Sequence, residues 1–172
     1  MRERKRRIRD AYSPHERRPL GGYVRSMVAY AALSAGLAGV VRASGRPLPE
    51  RIALTDVALL SVATHKLSRL LTKESVTSPL RAPFTRYTAP AGNAEVHEEV
   101  RTDGGPTRHA IGELVTCPFC AAVWVATGLA GGLVLAPRAT RLASVILTAV
   151  AASDFLQLAY AAAAQQDRRP RV

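Results

Sequence analysis

The chain is poor in the residues that usually announce chemistry. Its 172 residues include two cysteines, two methionines, one tryptophan and three phenylalanines. The cysteines, at positions 117 and 120, allow at most one disulfide. A bridge across so short a loop staples no fold, which excludes a secreted disulfide scaffold. No G-x-S-x-G elbow and no Ser-His-Asp grouping occurs, so nucleophilic hydrolysis has no visible residues. No Walker motif or other phosphate-cradling glycine loop occurs either. The first apolar run comes late, after a long basic stretch with no A-x-A site behind it, so no secretory signal is expected.

What is abundant is alanine, leucine and valine, together with arginine. Hydrophobic residues make up 48% of the chain while charged ones make up 22%. Such a mixture requires segregation into apolar and charged blocks. The net charge of +11 would suit a nucleic-acid binder. Its distribution argues against a specific one, because nine of the 24 basic residues fall in the first 25 positions, "MRERKRRIRDAYSPHERRPLGGYVR". A polar tail of this kind has no core of its own. Beside a membrane helix it sets orientation and touches anionic lipid.

Four apolar segments follow, over about residues 27–41, 52–71, 119–136 and 142–164. A bilayer core needs roughly 20 apolar residues. The third segment, "FCAAVWVATGLAGGLVLA", is uncharged, and the fourth carries only Asp154. The second carries Asp56, His65, Lys66 and Arg69 and is credible as a span only inside a bundle. "RASGRPLPER" joins the first pair and "PRATR" the second, which gives two hairpins. The competing arrangement is a soluble helical bundle with one unusually apolar hairpin. Residues 72–116 form the long connection between the hairpins. Counted by side, the 1–25 tail, the 72–116 loop and the 165–172 tail hold 17 basic residues, against five on the opposite side. The positive-inside rule then places both termini and the long loop in the cytoplasm.

Ionisable residues at membrane depth need partners, since each costs roughly 2.5–3.5 kcal/mol on insertion scales. His65 lies thirteen residues into segment two and Asp154 twelve into segment four, at similar depth. His65 and Arg69 are four apart and share a helix face. The expectation is that Asp154 pairs with His65 or Arg69, and that Asp56, near the outer end, is reached by Arg141 or Arg51. Such pairs read as structural glue between helices or, on the alternative, as a small transporter's ion path. Gly128 and Gly132 form a GxxxG, a small-residue packing signal.

Within the long loop, "FTRYT" and "EVHEEV" have strand character around "APAGN", and "TRHAIGELVT" has the pattern of a short amphipathic helix. The composition suggests a structured cap. "LSRLLTKESVTSPLRAPF", "IGELVTCPFCAAVWVA" and "SDFLQL" together resemble the bacterial family catalogued as domain of unknown function 1360. The likeness runs from about residue 52 to residue 163. It implies a small integral membrane protein of a bacterial inner membrane and brings no activity, substrate or cofactor.

"CPFC" leaves three readings open. Pro118 suits the first turn of a helix, which puts Cys117 at its N-cap, the arrangement of C-P-x-C redox thiols. Zinc, the one candidate cofactor, would need a third ligand, for which His109 (and His97) are at hand. On the third reading both cysteines simply fill space at a loop-to-helix junction. The expected fold is an all-α membrane protein with four transmembrane helices in two hairpins and a structured cytoplasmic loop between helices two and three. The expected function is non-enzymatic, structural or partner-binding. Its partners are the lipid membrane, a cytoplasmic protein and a second copy of the chain; specific nucleic acid is not among them.

Overall fold

The structure, a computed structural model, describes residues 18–167 continuously, together with 3, 4, 7, 11–13 and 15. Much of the expected basic 1–25 tail, and Arg168, Arg169 and Arg171 of the 165–172 tail, lie outside the described residues. The elements are α1 (Leu20–Ala43), α2 (Leu54–Thr72), a single 3-10 turn (Ser75–Thr77), α3 (Ser78–Arg81), β1 (Thr85–Pro90), β2 (Val96–Val100), α4 (Gly105–Thr116), α5 (Pro118–Leu135) and α6 (Pro137–Asp167). They fall into two compact units, Met1–Gly36 with Leu71–Ala121, and Leu37–Leu70 with Ala122–Val172.

Burial is inverted relative to a water-soluble bundle. Among the described residues the buried hydrophobic side chains are three alanines, Ala63, Ala110 and Ala151, while seven polar or charged residues are buried. The large apolar side chains face outward, among them Leu33, Val40, Val123, Ile146, Val150, Phe155 and Leu156. In water this arrangement forfeits the hydrophobic driving force. In lipid it is the favourable one, because tails are as apolar as leucine and helices meet through small and polar residues.

Among the described residues three helices are long and apolar enough to cross a membrane: Leu20–Ala43, Pro118–Leu135 and Pro137–Gln166. The expectation of four is therefore reduced to three by length and composition alone. Helix α2 has 19 residues, roughly 28 Å at 1.5 Å per residue, so its length suffices. Its charges, Asp56, Lys66 and Arg69, are what hold it back.

In the second unit, α2 and α6 meet along one face each. On α6 the buried residues Thr140, Ser144 and Ala151 recur at helical spacing. On α2 Ala63 and Lys66 are buried between half-buried Leu59 and Leu70. The threonine hydroxyl of Thr148 donates to the carbonyl of Leu59 at 3.4 Å. Between α5 and α6 only Ala136 intervenes: its N–H donates to Gly132 O at 2.7 Å and its carbonyl accepts from Thr140 N at 3.0 Å. "PRATR" is thus the first turn of α6 rather than a loop, with Pro137 at a position where its missing N–H is harmless. Gly128 faces open space, while Gly131 lies against Leu37 and Gly132 against Thr140. The close packing thus falls on one member of the expected pair, Gly132, and on its neighbour Gly131, but not on Gly128.

The first unit corrects the all-α expectation with a two-stranded antiparallel sheet. Thr85 pairs with Val100 and Pro90 with Val96, with a bulge between Tyr87 and Ala89. The hairpin is tied back to the chain leaving α2: Ser75 N–H donates to Ala94 O at 2.8 Å and Val96 N–H to Lys73 O at 3.0 Å. Helix α4 closes on the sheet at Gly112, where an added Cβ would lie 2.5 Å from Val100 Cγ1 and 3.0 Å from Phe84 O. It meets the start of α1 at Gly22, where an added Cβ would strike the carbonyl of Pro106. Two glycines therefore let three backbones approach.

Candidate functional site

The polar organisation of the first unit centres on two residues, Arg81 and Glu113. Arg81 ends the four-residue helix α3 and is 1% exposed. Its Nε donates to Glu98 Oε2 at 2.6 Å and its Nη2 to Glu98 Oε1 at 3.3 Å. Nη1 donates to Leu71 O at 2.9 Å and Thr77 Oγ1 at 2.6 Å. Nη2 also donates to Glu74 O at 3.0 Å and Ser78 Oγ at 3.1 Å. The fork thus binds the end of α2, the 3-10 turn and strand β2 into one piece. A guanidinium offers five donors in a fixed plane, which an ammonium does not.

Glu113, on α4, gathers the start of α1. Tyr23 OH donates to its Oε2 at 2.5 Å, and Arg18 Nη2 and His109 Nε2 lie 3.0 and 3.3 Å from its Oε1. Arg25 donates to Thr107 alongside. Arg108 clamps the carbonyl of Pro83 with Nε at 2.9 Å. At the cap's rim Arg101 lies beside Asp103 and, with Arg86 and Arg108, holds that carboxyl below the usual carboxylate range.

The cysteines sit where α4 hands over to α5. Cys117 is extended, with φ −107° and ψ 107°, and Pro118 opens α5. Cys117 Sγ accepts the N–H of Cys120 at 3.2 Å, so the sulfur serves as the N-cap acceptor for α5. Both thiols are free, Cys117 half-buried and Cys120 exposed. His109 is eight residues before Cys117, roughly 12 Å along helix α4. Zinc–sulfur and zinc–nitrogen bonds are only about 2–2.3 Å. Among the described residues no group of three His, Cys, Asp or Glu side chains is arranged to hold a metal. The set Cys117, Cys120 and His109 is thus not brought together, and His109 faces Glu113 instead.

In the second unit two ion pairs join α2 to α6. Arg141 Nε and Nη2 bind Asp56 Oδ1 and Oδ2 at 2.9 and 2.8 Å, a bidentate pair. Lys66 Nζ binds Asp154 Oδ2 at 2.8 Å. The expected partners of Asp154 were His65 and Arg69. Lys66 occupies that position, while His65 is exposed and Arg69 half-buried. Depth along the helices was legible from residue counting. Rotation about the helix axis was not, and one residue turns a side chain by roughly 100°.

Arg81 and Glu113 stand inside the stretches that carry the family resemblance, "TSPLRAPF" and "IGELVTCPFC", but the residues alone did not single them out as centres of a polar network. The signal that could have found Arg81 is its setting, an arginine inside a Pro-rich turn with a glutamate on the facing strand.

Together these features define a mostly helical protein with three helices, among the described residues, long and apolar enough to cross a membrane, and a small α/β unit. The chain belongs to the family described as Protein of unknown function (DUF1360), which matches residues 59–160. Helix α1 lies outside that match. The chain is also similar to the Sporulation protein YjcA of Bacillus subtilis (strain 168), 36% identical over 73 residues, which is 41% of this chain. The chain spans about 60% of the length of that curated relative. No solved structure matches.

Proposed function

We propose that the chain is a four-span bacterial inner-membrane protein, with α2 as the fourth span, whose termini and cap face the cytoplasm and whose cap serves as a rigid, non-enzymatic docking or structural module. The observation that carries the reading is the pairing of α2 along α6. Asp56 meets Arg141 near the start of both helices, and Lys66 meets Asp154 further along both. The two helices thus run in the same direction over roughly 15–20 Å. A helix that follows a membrane span in parallel, with its charges turned toward it, shares its depth. Each ion pair also offsets the cost of the other's insertion. The distribution of basic residues supports cytoplasmic termini, and the Arg81 fork supports a cap with one shape to present.

The test is thiol labelling of single-cysteine variants in a Cys117→Ser/Cys120→Ser background, using a membrane-impermeant maleimide on intact cells. Gly45→Cys should label from outside, and Gly92→Cys only after permeabilisation. If both label from the same side, α2 does not cross and the reading fails. The name of the Bacillus relative extends the reading to a role in spore formation. Restoration of heat-resistant spores in a Bacillus strain lacking that relative would support it; expression without restoration would count against it.

A further inference from the structure

Asp154 is paired with Lys66, yet 47% of its side chain is open, while Lys66 is 10% exposed. Among the described residues its other oxygen, Oδ1, accepts no hydrogen bond. Two exposed polar residues lie near it on the outward side of α6, Ser153 and Gln157, joined by Gln157 Nε2 donating to Ser153 Oγ at 3.3 Å. His65 is exposed on α2, one residue before Asp154's partner. Along the rest of α6 the outward residues are apolar: Leu142, Val145, Ile146, Val150, Phe155, Leu156 and Leu158. A polar strip therefore interrupts an apolar face. It lies some twelve residues, roughly 18 Å, past Leu142, within the ~30 Å hydrocarbon thickness. Lipid tails offer these groups nothing.

We propose that this strip is the face on which a second copy of the chain docks, with Gln157, Ser153 and Asp154 of one copy hydrogen-bonding their counterparts. The inference rests on the reading that α2 and α6 lie together in the membrane. Two copies inserted the same way present the same residues at the same depth, about a two-fold axis along the membrane normal. Self-pairing then requires donors and acceptors on one strip. This strip has both: the free Gln157 N–H and the Ser153 O–H against Asp154 Oδ1 and the Gln157 carbonyl. A strip of acceptors alone would call for a different partner.

The experiment uses the full chain in lipid vesicles with Cys117→Ser/Cys120→Ser. Ser153→Cys and Gln157→Cys should form disulfide-linked dimers under a membrane-permeant oxidant. Ala152→Cys, one residue from Ser153 in depth but roughly 100° and 140° around the helix from Ser153 and Gln157, should not. Between fluorescently labelled copies, Ser153→Ala/Gln157→Leu should weaken association roughly tenfold while leaving the Lys66–Asp154 pair in place. No dimer at positions 153 and 157, equal dimer at 152, or energy transfer untouched by the double variant overturns the proposal. Labelling of Gln157→Cys by an impermeant maleimide in sealed vesicles would overturn the membrane reading itself. Protection from that label without dimers overturns the docking face alone.

Discussion

Removing the guanidinium of Arg81 should release the cap's hairpin. Arg81→Ala leaves Glu98, whose side chain is 7% exposed, as a buried carboxylate without its fork, and strips donors from the carbonyls of Leu71 and Glu74. Breaking a buried pair from one side costs about 3–5 kcal/mol. The open population of the cap should rise by roughly two to almost four powers of ten. Arg81→Lys should fall in between, because three donors on a flexible stem replace five in a plane. Arg81→Met/Glu98→Leu should recover most of the loss, since a buried pair replaced by apolar groups is often neutral. Amide hydrogen exchange in lipid nanodiscs reads this directly at Val96 and Arg101, whose N–H groups bond Lys73 O and Phe84 O. Exchange at both amides as slow in Arg81→Ala as in the parent would refute the reasoning. So would a double variant no better than the single one, which would mean that the loss comes from packing and not from a stranded charge.

Three further outcomes follow from the same geometry. Gly112→Ala should destabilise the cap by about 1–3 kcal/mol through overpacking against Val100 and Phe84, seen as a lower thermal midpoint for the hairpin's amides. Cys117→Ser should keep the cap on α5, whereas Cys117→Ala should lose up to about 1 kcal/mol, and chelators should leave the midpoint of the parent unchanged because His109 is too far to complete a zinc site. Asp103 has a folded pKa below its unfolded one, so its ionised form favours the folded cap above about pH 4 and that contribution is lost as pH falls through the depressed value; Asp103→Asn should flatten this acid limb in a pH series of unfolding midpoints.

The cap was partly legible because its signals are local. Alternation in "FTRYT" and "EVHEEV" and the periodicity of "TRHAIGELVT" mark two strands and a helix, which the structure places at Thr85–Pro90, Val96–Val100 and Gly105–Thr116. Those signals set turns and periods within a few residues of each other. The Arg81 fork depends on contacts 17 residues away, and the grip of Glu113 on Tyr23 spans 90, so no window of sequence contains either. Helix ends were shifted for a related reason. Helix α1 starts at Leu20 rather than near residue 27, and its first turns include Gly22, where α4 approaches so closely that a side chain must be missing. On α2 the choice between Lys66 and its neighbours depends on a rotation fixed only when α6 is present.

That last dependence has a temporal side. Lys66 and Asp154 are 88 residues apart in the chain. At about 5–20 residues per second, the ribosome makes the counter-ion roughly 4–18 s after the cation. During that interval α2 holds Asp56, Lys66 and Arg69 without the helix that neutralises two of them. On the proposed four-span reading, its stable entry into lipid is therefore deferred until the α5–α6 hairpin, which turns on the single residue Ala136, arrives to receive it. The second helix to be made would be the last to settle, and any insertion machinery would have to shelter it meanwhile.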